Sequence, residues 1–104
     1  MTLFAQGDIL LRRHTVAPKT TKSVAPEGGR LILARGEATG HHHSIDATKG
    51  TLTLDEGGVM FLTIEELTTL DHQEHRAITL EPGTYEVVRQ REWTDAQEPI
   101  TVSD

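Results

Sequence analysis

Thr51-Leu52-Thr53-Leu54 alternates polar and apolar residues, the period-two signature of a strand with one buried face. Asp55-Glu56-Gly57-Gly58 then supplies turn residues, and Val59 to Ile64 runs almost continuously apolar, so a hairpin is predicted here. Upstream, Gly7 to Arg13 reads as a first strand opened by Gly7, and Arg30 to Ala34 is a second apolar run. Gly36 and Gly40 allow bends or bulges after it. Downstream, Ala77 to Leu80, the turn Glu81-Pro82-Gly83-Thr84 and the run Tyr85 to Trp93 form a second strand, turn, strand unit. Between the two units, Leu67 to Arg76 reads as a short helical turn or an irregular crossing.

The polar stretch at 15–29 holds Pro18, Pro26 and Gly28-Gly29, which marks a surface loop with room for a short edge strand around Ser23-Val24. Its length suits a lid or an interface more than a plain connection. A C-terminal tail covers 94–104, with a further short strand expected at Ile100 to Val102. Seven or so short strands, no long segment of period 3.6 and no internal repeat predict an all-β protein, a small antiparallel β-barrel or β-sandwich.

Composition narrows this to one domain spanning 1–104, because 104 residues at 36% hydrophobic supply a single core of ordinary size. With only four aromatic residues, that core would gain from association, so a homo-oligomer is expected. The chain has no cysteine, which excludes disulfides and thiolate metal sites and leaves His, Asp and Glu as strong ligands. A formal net charge of -6 argues against nucleic-acid binding. The basic residues Arg12, Arg13, Lys19, Lys22, Arg89 and Arg91 come without a stacking aromatic set. No apolar run nears the roughly 20 residues that cross a bilayer, and MTLFAQGDILLRR lacks the basic-then-apolar order of a signal peptide, so a cytoplasmic protein away from membranes is expected.

The chemistry concentrates in the histidines. Within Gly40-His41-His42-His43-Ser44, strand alternation puts His41 and His43 on one face and His42 on the other. The run lies inside the chain, unlike a terminal purification tag. A His-x-His pair on a strand lets two neutral imidazoles approach one ion at about 2 Å. Asp71-His72-Gln73-Glu74-His75 offers the missing donors, His72 and His75 being three apart as on a helical turn, with Glu74 as an oxygen ligand or as an acid/base group. A site of His41, His43, His75 and either His72 or Glu74 has the ligand count for a divalent transition metal: zinc, iron, nickel or manganese. A pH-responsive patch and chance clustering are the other readings.

The remaining candidates carry less chemistry. His14 and His42 read as surface or loop groups. Arg89 and Arg91 share a strand face with Tyr85, Val87 and Trp93, placed to meet an anionic ligand, a partner subunit's carboxylates or solvent. Ser44 and Asp46 lie near the histidines, but no nucleophile-elbow pattern surrounds them.

The His-x-His pair followed by a later histidine, in an all-β chain of this size, resembles the cupin family of small β-barrels, which hold a metal through several histidines and a carboxylate. The spacing differs from the usual motifs: Arg35 stands where the first motif has glycine, and Pro82-Gly83 follows His75 instead of preceding it. Over most of its length, through QGDILL, GEATGHHH, HQEH and LEPGTYEVVRQREW, the chain is similar to a family of short uncharacterised bacterial and phage-encoded proteins. That second resemblance implies no activity. Two functions are therefore expected. One is a small divalent-metal-binding β-protein, with His41, His43, His72 and His75 as ligands, acting as a metalloenzyme on a small molecule or simply holding the ion. The other is a non-catalytic, phage-associated assembly or interaction module with structural or pH-sensitive histidines.

Overall fold

In the computed structural model, which describes residues 3–36 and 40–89, ten strands form two antiparallel sheets and no α-helix occurs among the described residues. The strands are β1 (Leu3–Gln6), β2 (Ile9–His14), β3 (Lys22–Ser23), β4 (Arg30–Arg35), β5 (His42–Asp46), β6 (Gly50–Leu54), β7 (Met60–Ile64), β8 (Thr68–His72), β9 (His75–Leu80) and β10 (Gly83–Arg89). One sheet has the order β1-β2-β10-β7-β6-β3 and the other β4-β5-β8-β9. The sheets pack on each other without closing into a barrel, so of the two architectures the sequence allows, the sandwich is formed.

The alternation read from the sequence explains the packing. Leu52 of β6 is buried while Thr51 beside it is exposed, and Leu62 and Ile64 of β7 complete the inward face of the β6–β7 hairpin. Ile9 and Leu11 of β2 and Tyr85 of β10 join them. Leu31, Leu33, Ile45, Leu70, Ile78 and Leu80 face them from the second sheet. Burying a side chain of this size contributes roughly 1.5–3 kcal/mol. Asp55 shapes the β6–β7 turn, its carboxylate accepting from the amides of Gly57 and Val59.

Three expectations are corrected. The strand expected from Gly7 onward is the second half of a hairpin: β1 precedes it, Gly7-Asp8 is the turn, and Gln6 pairs with Ile9. Leu67 to Arg76 is neither helical nor irregular. It is most of the β8–β9 hairpin, with Gln73-Glu74 as its turn and His72 paired directly with His75. β-Branched Thr68 and Thr69 and the inward Leu70 favour a strand there, and a bulge between Leu70 and His72 supplies the extra bend. Residues 77–89 are not a hairpin either, because β9 stays in the four-stranded sheet while β10 inserts between β2 and β7. Tyr85 secures that crossing by donating its hydroxyl to Glu81 O at 2.7 Å. Within the 15–29 loop, β3 pairs with β6 at the edge of the large sheet opposite β1. Arg91, Trp93, the tail at 94–104 and the strand expected at Ile100 to Val102 lie outside the described residues. No helix among the described residues is long and apolar enough to cross a membrane.

Gly50 shows how closely the hairpin strands approach. It is extended and needs no left-handed backbone, but a Cβ there would run into the carbonyl of Thr63 on β7. Gly50→Ala is expected to cost about 1–3 kcal/mol, as overpacking does. Thermal unfolding should show this as a Tm lower by roughly 4–8 °C for each kcal/mol; an unchanged Tm would mean that the strand pair can part without loss.

Candidate functional site

Three segments bring the histidines together at one edge of the sandwich. The turn before β5 carries His41, β5 carries His43, and the β8–β9 hairpin carries His72 and His75. The His72 ring centre lies 4.4 Å from that of His43, 4.6 Å from that of His75 and 5.8 Å from that of His41. His43 and His75 stack nearly parallel at 6.1 Å. The proximity of His72 and His75 comes from cross-strand pairing next to a tight turn, not from a helical repeat.

The β1–β2 turn closes against this group. Gly7 adopts φ +56, and a Cβ on it would stand 2.6 Å from His75 Nε2 and 3.1 Å from His43 Cε1. Glycine is therefore required there twice, for the left-handed backbone and for the room taken by two imidazoles.

Gln6, wholly buried at the end of β1, sets the chemistry of His43. Its amide nitrogen donates to Leu70 O and Arg76 O, each at 2.9 Å, which turns its oxygen toward His43. His43 Nδ1 lies 2.8 Å from that oxygen and so carries the hydrogen. On the other side of the ring, Nε2 lies 3.0 Å from Asp8 Oδ1. Burial, the largest influence, pushes His43 down to about 4 despite the Asp8 bond, and the neighbouring His72 and His75 add to the fall. Burial raises the Asp8 carboxyl, but the bonds from Arg89 and His43 and their charges together hold it below its ordinary value. At neutral pH a deprotonated Nε2 thus faces an ionised carboxylate.

His41 has a parallel arrangement, with Nδ1 at 2.7 Å from Glu74 Oε2. A carboxylate oxygen at this distance accepts, so Nδ1 carries the hydrogen and, in the neutral ring, Nε2 carries the lone pair. His72 is the reverse: its Nδ1 accepts the backbone N–H of Glu74 at 3.0 Å, so the hydrogen of the neutral ring sits on Nε2. Burial, followed by the charges of His75 and His41, keeps His72 below its ordinary value. The described residues contain no group of three or more His, Asp or Glu already disposed around one point to hold an ion.

Other candidates lie apart from this cluster. His14 meets Glu86 at 3.0 Å and the edge of Phe61. His42 points away from His41 and His43, donates its backbone N–H to Gln73 Oε1, and lines a shallow cavity of about 390 Å³ with Arg30, Ser44, Asp71, His72 and Gln73. Ser44 Oγ accepts from Arg30 Nε and Asp46 caps the turn at Thr48, so neither is arranged as a nucleophile or its base. Arg89 donates to Asp8 Oδ2 at 3.2 Å and to Arg35 O at 2.9 Å, pairing with a carboxylate of its own chain. Sequence reading missed Gln6 and Asp8 as parts of the site. The available signal was Gln6-Gly7-Asp8 between two apolar runs, a hairpin turn that sets both side chains at one strand end.

A family model described as "Domain of unknown function (DUF8820)" matches residues 5–90, which contain every group of the cluster. No curated protein and no solved structure matches the chain.

The depressed His43 gives the metal-free protein a definite pH response. Its imidazole binds a proton more readily unfolded, near the ordinary 6.5, than folded, at about 4. Its contribution is therefore intact above about 6.5 and is lost as pH falls toward 4, on the order of 3 kcal/mol in all. Urea unfolding in a chelating buffer should show that slope, and His43→Gln should flatten it. An equally steep slope in the variant would assign the response to other groups.

Proposed function

We propose that the chain, which belongs to the DUF8820 family, is a small β-protein that binds a divalent transition metal through His41, His43, His72 and His75. One observation carries this reading. Both members of the His-x-His pair set Nδ1 against a side-chain oxygen, His41 against Glu74 and His43 against Gln6, so in the neutral rings the lone pair falls on Nε2, which at His43 lies 3.0 Å from Asp8 Oδ1. Metal-binding histidines are ordinarily held in this way, because the outer hydrogen bond fixes the tautomer and raises ligand basicity. Imidazole donors suit zinc, iron and nickel, and a carboxylate nearby extends the range to manganese.

Side-chain rotations at His41, His72 and His75 would complete the ligand set, since the rings are already within a few ångströms of one another. His72 would also have to release the Glu74 amide or bind with the opposite tautomer. When bound, the ion supplies Lewis acidity. Glu74, exposed and in contact with His41 Nδ1, would orient that ring and carry a proton to or from solvent. The cavity bordered by His42 and His72 has the volume for a small-molecule ligand, about 390 Å³.

A second reading is favoured by a different fact: His43 is 1% exposed with both ring nitrogens in contact, as in a histidine that simply ties β5 to the β1–β2 turn. On that reading the chain is a non-catalytic assembly or interaction module, working as a homo-oligomer.

Elemental analysis of untagged protein, purified without nickel resin, separates the two. The metal reading expects stoichiometric zinc, iron, nickel or manganese. It also expects a Tm rise of about 10 °C or more when the protein is saturated 100-fold above Kd, since that occupancy adds about 2.7 kcal/mol. His43→Ala and His75→Ala should each abolish both effects with the oligomeric state unchanged. Loss of assembly with no metal effect in either protein would support the module instead.

A further inference from the structure

We propose that residues 90–104, which continue the chain past the end of β10, fold back over the outer face of the large sheet and dock on a strip formed by Ala5, Leu10 and Val88. The proposal is independent of any metal.

The strip follows from strand register. Ala5 of β1 pairs with Leu10 of β2, and Leu10 pairs with Val88 of β10, so the three side chains stand side by side on one face. Ile9 and Leu11, the neighbours of Leu10 along β2, point to the opposite face and enter the core between the sheets, as do Tyr85 and Val87 of β10. Ala5 and Leu10 are not part of that core cluster. An antiparallel sheet packed on one side ordinarily leaves its other face to water, with polar side chains on it. Ala5 and Leu10 are instead each only 1% exposed. Something other than the second sheet covers them.

Topology narrows what the cover is. The small sheet packs on the opposite face, and β3 lies at the far edge, beyond β7 and β6. Arg12 and Glu86, next along the outer face, are engaged with each other at 3.7 Å. His14 packs on Phe61 of β7 and so closes a different part of the face. The segment 90–104 starts where the cover is needed, because Val88 and Arg89, the last residues of β10, pair with Leu10 and Ile9. Its composition suits the strip. Ile100 and Val102 alternate, so an extended stretch turns both to one surface, and Trp93 adds the chain's single indole. Glu92, Asp95, Glu98 and Asp104, against the one basic Arg91, complement Arg12 at the border of the strip. An extended chain advances about 3.3 Å per residue and strands lie about 4.8 Å apart, so the segment can reverse and still cross β10, β2 and β1.

Methyl NMR of the full chain tests the contact. Nuclear Overhauser effects are expected between the methyls of Leu10 and those of Ile100 or Val102, arising within one molecule in a sample that mixes labelled and unlabelled copies. Effects found only between copies would overturn the proposal in favour of a second copy seated on the strip. No effect between Leu10 and any of residues 90–104 would overturn it as well. Replacing Ile100→Asp together with Val102→Asp leaves every residue of the sandwich in place. It should shift the Leu10 methyl resonances and lower Tm by about 4 °C or more; unchanged resonances and an unchanged Tm would show that the segment does not rest on this face.

Discussion

The buried carboxamide of Gln6 is the contact on which the candidate site depends. A polar group taken out of water without partners costs about 1–3 kcal/mol, so both amide hydrogens and the oxygen need partners inside the fold. They are met by Leu70 O on β8, Arg76 O on β9 and the His43 ring on β5. One side chain thereby ties the edge of the large sheet to three strands of the small one. Because an amide differs at its two ends, the same bonds that join the sheets also decide which nitrogen of His43 carries hydrogen.

That coupling explains where the cluster lies. Gln6 ends β1 immediately before the Gly7-Asp8 turn, and its two backbone partners bracket the tip of the β8–β9 hairpin. Two turns and the entrance to β5 are drawn to one place, each bringing one or two functional side chains. A strand interior could not do this, since its alternate residues point to opposite faces. Turn tips gather side chains while the sheets behind them stay regular, the usual division between scaffold and site.

The sequence made part of this legible. The all-β class, the β6–β7 hairpin and the edge strand in the 15–29 loop follow from alternation and from glycine and proline placement. The separation of His42 from His41 and His43 follows from period two. The β8–β9 hairpin was hidden because Gln73-Glu74 has neither the glycine nor the asparagine that marks a tight turn, and HQEH fits helical spacing equally well. The crossover from β9 to β10 was hidden for a different reason. Pro82-Gly83 signals a turn but does not say whether the chain returns to the same sheet, which is settled by Tyr85 packing in the core and by β10 pairing with β2 and β7. Gln6 and Asp8 had no signature as single residues, because their roles arise from contacts with positions 35 or more residues away.

The contacts of His43 also decide where an added proton would go. Its Nδ1 hydrogen is committed to the Gln6 oxygen, so a second proton could bind only at Nε2, where Asp8 Oδ1 lies 3.0 Å away to accept it. Burial and the neighbouring His72 and His75 oppose that charge more strongly than Asp8 favours it. The contact that ties β5 to the β1–β2 turn is thus tuned by its surroundings and not by the imidazole alone.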